Sequence, residues 1–145
     1  MPALSSRLQK IADSLPLKPG MRILEIGCGP GALAREICHR IGVGYVLGID
    51  RSEKAIKQAT ELSQAEIKKG ILKFKKQAIE DYELEKGEEK FDLILGIRVG
   101  ALDGRHPKIG AIAFPKIAKA LKTNAKFFID SGAALKEINL DQYRK

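Results

Sequence analysis

The sequence predicts an α/β fold, built as a doubly wound, mostly parallel sheet of about five strands covered by helices. Two observations carry this prediction. Short apolar runs alternate along the chain with amphipathic segments of about ten residues or more, the length that a crossover between parallel strands requires. The first buried-strand pattern also ends directly in a glycine cluster, as a strand does when it passes into a turn.

Periodicity places the first elements. Apolar positions at helical spacing predict a helix over residues 4–15, which ends before Pro16. The apolar run at 22–26 predicts the first strand. The segment 32–41 predicts the next helix, and Gly42 ends it.

The same pattern then repeats. Residues 45–50 predict the second strand, and Ser52 is a suitable N-cap for a helix that continues to Gly70. In 71–77, apolar residues alternate with lysines, the period-two signature of a strand with one wet face. The sequence therefore predicts that this third strand lies at an edge of the sheet.

The last elements are two strands and a helix. Residues 91–95 predict the fourth strand and 98–108 a loop. Residues 109–122 are predicted to be helical at least from Pro115, because proline is tolerated in a first turn but breaks a helix interior. Residues 125–130 predict the fifth strand.

Length and composition limit the protein class. The 145 residues amount to a single domain spanning 1–145, with 1–19 as N-terminal helix and connector and 131–145 as a C-terminal tail. Contents of 44% hydrophobic and 30% charged residues exclude collagen-like and wholly disordered chains. No apolar run approaches the roughly 18 residues of a membrane span. Because the two cysteines lack a metal-ligand spacing, we expect a cytoplasmic protein without a metal site.

The glycine cluster is the most informative segment for function. Gly27 and Gly29 allow a tight turn and let the backbone approach a ligand, and the following helix N-terminus offers free N–H groups. Asp50 ends the second strand, 21 residues after Gly29, where a carboxylate accepts hydrogen bonds from ribose hydroxyls. Together these residues predict an adenosine-type ligand at the carboxyl edge of the sheet.

Charge distinguishes between adenosine ligands. The spacing of Gly27, Gly29 and Ala32 also fits a dinucleotide site, so the glycines alone do not identify the ligand. Glu25 lies just before them. A carboxylate there would repel a pyrophosphate, because unit charges about 4 Å apart interact by roughly 4 kcal/mol at an effective dielectric of about 20. The sequence therefore favours a positively charged adenosyl ligand.

Four segments resemble a known family. LEIGCGPGAL at 24–33, followed by GIDRS at 48–52, resembles the first two motifs of the class I S-adenosylmethionine-dependent methyltransferases. KKQAIED at 75–81 resembles the segment that touches the adenine, and FDLILG at 91–96 resembles the strand-four motif. The resemblance covers roughly residues 15–130. It implies a Rossmann-like core with S-adenosylmethionine as cofactor.

The resemblance also implies roles for individual residues. It places Glu25 near the amino end of the cofactor, the glycine loop against its methionyl part and Asp50 on the ribose. Gln77 stands where the family often has an aspartate. The cofactor-binding residues implied in this way are Glu25, Gly27, Cys28, Gly29, Gly31, Asp50, Arg51, Gln77, Ala78, Ile79 and Gly96.

The loop after strand four supplies residues for an acceptor. It opens at the carboxyl edge of the sheet, where ligands of such sheets bind, and contains Arg98, Asp103, Arg105 and His106. A solvated loop also explains these side chains, so both interpretations remain open. His106 is the most suitable base, because imidazole exchanges protons near neutral pH. No residue is assigned firmly to catalysis.

The predicted function is methyl transfer to an unidentified small-molecule acceptor, and three further functions compete with it. The net charge of +8 favours an RNA or ribosome methyltransferase, whereas the low aromatic content of 6% disfavours nucleic-acid binding. The second competing function is a catalytically inactive cofactor-binding module, and the third is a nicotinamide dehydrogenase.

The tail raises the question of a partner. Family members usually add two more strands after the fifth, the last of them antiparallel, and residues 131–145 are too few for a helix and two strands. Strand five is therefore expected to be an exposed edge that the tail or a second copy covers. The sequence predicts either a homodimer or a minimal domain.

Overall fold

The computed structural model describes residues 4–130 and 134–144. Its helices and strands, in chain order, are α1 (Ser6–Ser14), β1 (Arg22–Ile26), α2 (Ala32–Ile41), β2 (Tyr45–Asp50), α3 (Glu53–Leu62), α4 (Gln64–Lys68), β3 (Leu72–Lys76), β4 (Phe91–Gly96), α5 (Pro107–Ala120), β5 (Leu121–Asp130) and β6 (Leu135–Ile138). Short 3-10 turns lie at Ile79–Asp81 and Asp141–Tyr143.

The strands form one six-stranded sheet in the order β3-β2-β1-β4-β5-β6. The first five strands are parallel, and β6 pairs antiparallel with β5. The α/β prediction is thus confirmed, as is the edge position of β3. After β3 the chain crosses to the other side of β1, so the carboxyl ends of β1 and β4 border the switch point, where ligands of such sheets bind.

Apolar side chains cover both faces of the sheet, because the parallel strands are buried on both sides. On one face, α1 and α2 pack Ile11 and Ile37 onto the layer that contains Ile23. On the other face, α5 packs Ile117 onto the layer that contains Leu24. This two-sided burial fixes the strand ends that carry the candidate site.

The helix predicted between Ser52 and Gly70 is divided in the structure. It forms α3 and α4, with a break at Ser63. The Ser63 hydroxyl is buried and accepts a hydrogen bond from Arg35 Nη1 at 3.0 Å. The break thus coincides with a contact from α2, and no local pattern indicated it.

The prediction for the last helix was wrong at both ends. Helix α5 begins at Pro107, inside the predicted loop, and Pro115 lies in the helix interior rather than in its first turn. Strand β5 starts at Leu121 instead of at residue 125, and its pairing with β4 has a register irregularity between Leu121 and Lys126. Packing of α5 against the sheet overrides the local cost of Pro115.

The C-terminal segment covers the edge of the fifth strand, which is one of the two alternatives that the sequence left open. Strand β6 pairs with the outer edge of β5, and Leu140 beyond it is only 3% exposed. Residues 131–133 and 145 of the predicted tail lie outside the described residues. Because β5 is covered, the reason for expecting a second copy there disappears, and the oligomeric state stays a prediction.

Membrane-spanning and metal-binding features are absent from the described part of the chain. Within 4–130 and 134–144, no helix has the length and apolarity needed to cross a bilayer. Nor do these residues form a group of three or more side chains that could hold a metal ion.

Candidate functional site

A cavity of about 350 Å³ lies at the switch point of the sheet. Of the residues that the sequence singled out for the site, the cavity is lined by Gly27, Asp50, Arg51, Gln77, Ala78, Ile79, Arg98, Arg105 and His106. Its other lining residues, which the sequence did not single out, are Ile26, Glu80, Val99, Gly100, Ala101 and Ile109. The cavity therefore joins the glycine loop and the β2 end to the loop between β4 and α5.

The remaining assigned residues lie outside this lining. They are Glu25, Cys28, Gly29, Gly31, Gly96 and Asp103. Cys28 is buried, and burial together with the nearby Glu25 and Asp50 carboxyl groups raises the pKa of its thiol. A thiol held protonated in this way is a weak nucleophile, so Cys28 fills space in the turn.

Gly27 provides room for the loop that closes the cavity. Its φ is +71°, and a Cβ there would lie 2.7 Å from Cγ2 of Val99. Gly96 is equally restricted, because a Cβ would lie 2.5 Å from Cδ1 of Leu102. The two glycines at the ends of β1 and β4 therefore allow the β4–α5 loop to pack directly onto the sheet edge.

Asp50 fastens the end of β2 to the glycine loop. Its Oδ2 accepts a hydrogen bond from the N–H of Gly29 at 2.9 Å, and its Oδ1 accepts one from the N–H of Ser52, also at 2.9 Å. Each carboxylate oxygen has two lone pairs, so each can accept a further hydrogen bond from a ligand in the cavity. Asp50 thus holds the glycine loop against the end of β2 and can still accept hydrogen bonds from a ligand.

Glu25 differs from its sequence-based interpretation. The side chain is 3% exposed, and its Oε1 has no hydrogen-bond partner among the described residues. Burial first, and the neighbouring Asp50 second, raise the pKa of Glu25 from 4.5 to about 8. Burial therefore works against the negative charge that the sequence analysis expects at Glu25, and it favours the protonated carboxyl group in the protein without a ligand.

Arg35 is a buried cation that no sequence motif indicated. Only 8% of it is exposed, and its Nη1 donates to the carbonyl of Pro30 at 2.8 Å as well as to Ser63. It therefore braces the glycine loop from α2. The signal that could have found it is an arginine beside the apolar positions of a helix that directly follows a glycine loop.

Phe74 reaches from the edge strand β3 to the start of α2. A Cβ on Gly48 would lie 2.8 Å from the Phe74 ring, and a Cβ on Gly31 would lie 2.7 Å from it. The ring therefore crosses β2 over a strand glycine and ends beneath the N-cap of α2, which is Gly31 with a φ of +88°. Gly31 shapes the site through this packing.

The loop after β4 starts at Arg98, whose backbone is held on both sides. Its N–H donates to Oδ1 of Asp130 at 2.7 Å, and its carbonyl accepts from Nη2 of Arg105 at 3.2 Å. Asp130 is 6% exposed and is also paired with Arg7 of α1. No local pattern marks Asp130 in the sequence, because its role depends on where β5 and α1 meet.

Asp103 and His106 occupy different places in this loop. The Asp103 carboxylate binds Arg105 at 2.8 Å, and that guanidinium holds the pKa of Asp103 below its usual range. His106 is the exposed N-cap residue of α5, and its N–H donates to the carbonyl of Gly100 at 3.0 Å. Of these two polar residues, only His106 borders the cavity.

Comparison with known proteins agrees with this architecture. The chain is 30% identical over 142 residues to the cyclopropane-fatty-acyl-phospholipid synthase of Escherichia coli K12, which covers 97% of this chain and 34% of that protein. It is 34% identical over 114 residues to a ubiquinone biosynthesis O-methyltransferase of Pelagibacter ubique, covering 79% and 42%. The chain thus spans less than half the length of these relatives.

A solved structure shows the same fold. Phosphoethanolamine N-methyltransferase 2 of Haemonchus contortus, in complex with S-adenosyl-L-methionine, superposes with a TM-score of 0.70 at 28% identity, over 85% of this chain and 27% of that one. The model of the methyltransferase domain family matches residues 17–144. With its parallel sheet, its glycine loop and the acid at the end of β2, the chain belongs to the class I S-adenosylmethionine-dependent methyltransferases.

Proposed function

We propose that this chain transfers a methyl group from S-adenosylmethionine to a small-molecule acceptor. The observation that carries the proposal is a single cavity that joins Gly27 and Asp50 to the β4–α5 loop. Methyl transfer requires donor and acceptor to be held in line in one water-poor space. A cavity with both sets of residues offers that arrangement.

The residues present fit the cofactor. The buried Oε1 of Glu25 has no hydrogen-bond partner among the described residues. The cofactor carries an ammonium group, which can donate a hydrogen bond to this oxygen. Asp50 has lone pairs for ribose hydroxyls, and Gln77, Ala78 and Ile79 line the part of the cavity beyond β3. We assign the cofactor to these residues, to Arg51 and to the glycine loop formed by Gly27, Cys28, Gly29 and Gly31, with Gly96 on the methionyl side.

The protein's own contribution is chiefly positioning. S-adenosylmethionine supplies, when bound, a methyl group already activated by its positively charged sulfur. Val99 and Ala101 contribute apolar side chains to the border of the cavity. Where an acceptor must lose a proton, a ring nitrogen of His106 is the base that borders the same space.

The relatives support a small-molecule acceptor. One relative is named a cyclopropane-fatty-acyl-phospholipid synthase and another a ubiquinone biosynthesis O-methyltransferase. The superposed structure is named a phosphoethanolamine N-methyltransferase. Low aromatic content also leaves few stacking surfaces for RNA.

Calorimetry with S-adenosylmethionine, S-adenosylhomocysteine and NAD tests the proposal. We expect heat from the first two ligands and none from NAD. Asp50→Ala should weaken cofactor affinity by about 1–3 kcal/mol, because it removes a charged acceptor of ribose hydrogen bonds. Lys108→Ala, an exposed change on α5 outside the cavity lining, is the control and should bind normally. Binding of NAD in preference to both adenosyl ligands would instead identify a nicotinamide dehydrogenase.

An acceptor panel then separates an active methyltransferase from an inactive binding module. Tight cofactor binding without transfer to any member of a broad panel of hydroxyl, amine and carbon acceptors would indicate the inactive module. The net charge of +8 specifically favours RNA as a second candidate acceptor. RNA binding that weakens steeply with added salt would support it, whereas RNA affinity that does not change with salt would contradict it.

A further inference from the structure

Arg98 lines the cavity without a carboxylate partner among the described residues. Three arginines line the cavity, and two of them have carboxylate partners: Arg51 lies 3.4 Å from Glu80, and Arg105 lies 2.8 Å from Asp103. Within residues 4–130 and 134–144, no carboxylate oxygen lies within 4.0 Å of the Arg98 guanidinium. Residues 131–133 are Ser-Gly-Ala and bring no charged side chain.

The nearest buried carboxylate is not available to this guanidinium. Asp130 uses Oδ2 for Arg7 and Oδ1 for the backbone N–H of Arg98 itself. The contact therefore fixes the Arg98 main chain while Arg7 balances the charge of Asp130. The guanidinium, which is exposed, is left for a ligand.

The backbone of Arg98 is also strained. Its φ is +56°, a left-handed conformation that arginine rarely adopts and that persists only where surrounding contacts enforce it. Those contacts are the bond to Asp130 on one side and the bond from Arg105 on the other. Such strain clusters at ligand-binding positions, and here the residue held in this way lines the cavity.

We propose that Arg98 binds an anionic group, a carboxylate or a phosphate, of the methyl acceptor. This inference rests on the proposed function, because it assigns the acceptor to the β4–α5 side of the cavity. A guanidinium offers two parallel N–H donors that match either anion. Val99, Ala101 and Ile109 border the same side, so an acceptor with an apolar body beside its anionic end fits this surface.

Arg98→Asn separates ligand binding from a merely structural role. Asparagine adopts left-handed geometry more readily than arginine does, so this variant should fold with an unfolding midpoint no lower than that of the wild type. It nevertheless removes the guanidinium. Arg98→Lys keeps the charge without the two parallel donors, and Lys108→Gln removes an exposed neighbouring charge that does not line the cavity.

The experiment is a protein-observed NMR titration of the chain saturated with S-adenosylhomocysteine. The probes are phenyl phosphate, benzoate and the neutral isostere benzamide. We expect the preferred anion to bind about tenfold more tightly than benzamide, with shifts centred on residues 98–101. Arg98→Asn should abolish this preference, Arg98→Lys should reduce it, and Lys108→Gln should preserve it. The tighter of the two anions identifies the acceptor group as phosphate or carboxylate.

The outcomes separate the two proposals. If S-adenosylhomocysteine does not bind to the wild type, the proposed function fails and this inference fails with it. If S-adenosylhomocysteine binds but benzamide matches both anions, the inference alone is overturned. A folded Arg98→Asn variant that keeps the anion preference would overturn it as well.

Discussion

At the scale of single residues, Glu25 shows how burial reverses a charge argument. An acid before a glycine loop was interpreted as a fixed negative charge, yet strand β1 is covered on both faces and leaves the carboxyl group without solvent. Its raised pKa of about 8 means that a cationic ligand would have to draw the proton off. The preference for a positive ligand therefore depends on pH.

Glu25→Gln should change the pH dependence of stability. The unfolded glutamate loses its proton near pH 4.5 and the folded one near pH 8, so the folded state binds more protons between these values. The contribution of Glu25 is fully present below pH 4.5 and is lost as the pH rises to 8, by roughly 1.4 kcal/mol per unit.

Urea unfolding of both proteins at pH 5 and pH 8 measures this contribution. The wild type should lose stability relative to Glu25→Gln as the pH rises. Because all other groups are shared, parallel pH profiles for the two proteins would contradict the assignment of a buried, neutral carboxyl group to Glu25.

At the scale of elements, α5 carries an uncommon proline. Pro115 has no N–H, so the carbonyl four residues earlier, at Ala111, loses its helical donor, and the proline ring crowds that turn. Pro107 stands instead at the first position of the same helix, where the N–H would be unpaired in any case. One helix thus contains a costly proline and a neutral one.

Pro115→Ala should stabilise the protein by about 1–3 kcal/mol, because it restores a backbone hydrogen bond and removes the clash. The matched control is Pro107→Ala, which should change the free energy of unfolding by less than about 1 kcal/mol. Denaturant unfolding of the three proteins measures both values. Equal effects of the two substitutions would show that position in the helix does not govern the cost.

Elements could be predicted from the sequence where their signals are local. Strands β1, β2, β3 and β4 and the glycine loop follow from apolar runs and turn residues within a few positions. The break at Ser63 lies at a contact with Arg35 of another helix, and Pro115 lies in a helix that packs against the sheet. Contacts between distant segments decide these features, so no local window contains them.

At the scale of the whole molecule, the C-terminal segment belongs to the core. Strand β6 pairs with β5, Leu140 is buried beneath it, and the Tyr143 ring stacks on Phe114 of α5 at 5.6 Å between centroids. The sequence predicts only a tail here because residues 131–145 are too few for the helix and two strands that the family usually adds. A single short strand, Leu135–Ile138, is nevertheless enough to pair with β5.

Leu140→Ala should destabilise the protein by about 2–4 kcal/mol, because it removes buried apolar volume and leaves a cavity. Ile112→Ala on α5 removes a similar volume from a side chain that is 55% exposed, and it should cost less than about 1 kcal/mol. Thermal or urea unfolding provides the comparison. A neutral Leu140→Ala would show that residues after β6 contribute nothing to the core.

The candidate site was predicted in part for a topological reason. Parallel strands bring their carboxyl ends to one edge, so the order of strands and loops along the chain was enough to assign Gly27 and Asp50 together, whereas Gln77 was assigned only through the family resemblance. Two contacts of the β4–α5 loop join residues that lie far apart in the sequence: Val99 packs against Gly27, and the N–H of Arg98 donates to Asp130. No local pattern contains such contacts. Oligomeric state, for which light scattering is the measurement, is still only a prediction.

The Phe74 ring couples three positions that lie far apart in the chain. Any side chain at 48 or 31 would compete with it for the same volume. In a library that randomises residues 31, 48 and 74 together, we therefore expect folded clones with a residue larger than glycine at position 48 only when the residue at position 74 is smaller than phenylalanine. Position 31 should stay glycine even then, because its backbone angle excludes most side chains independently of the ring.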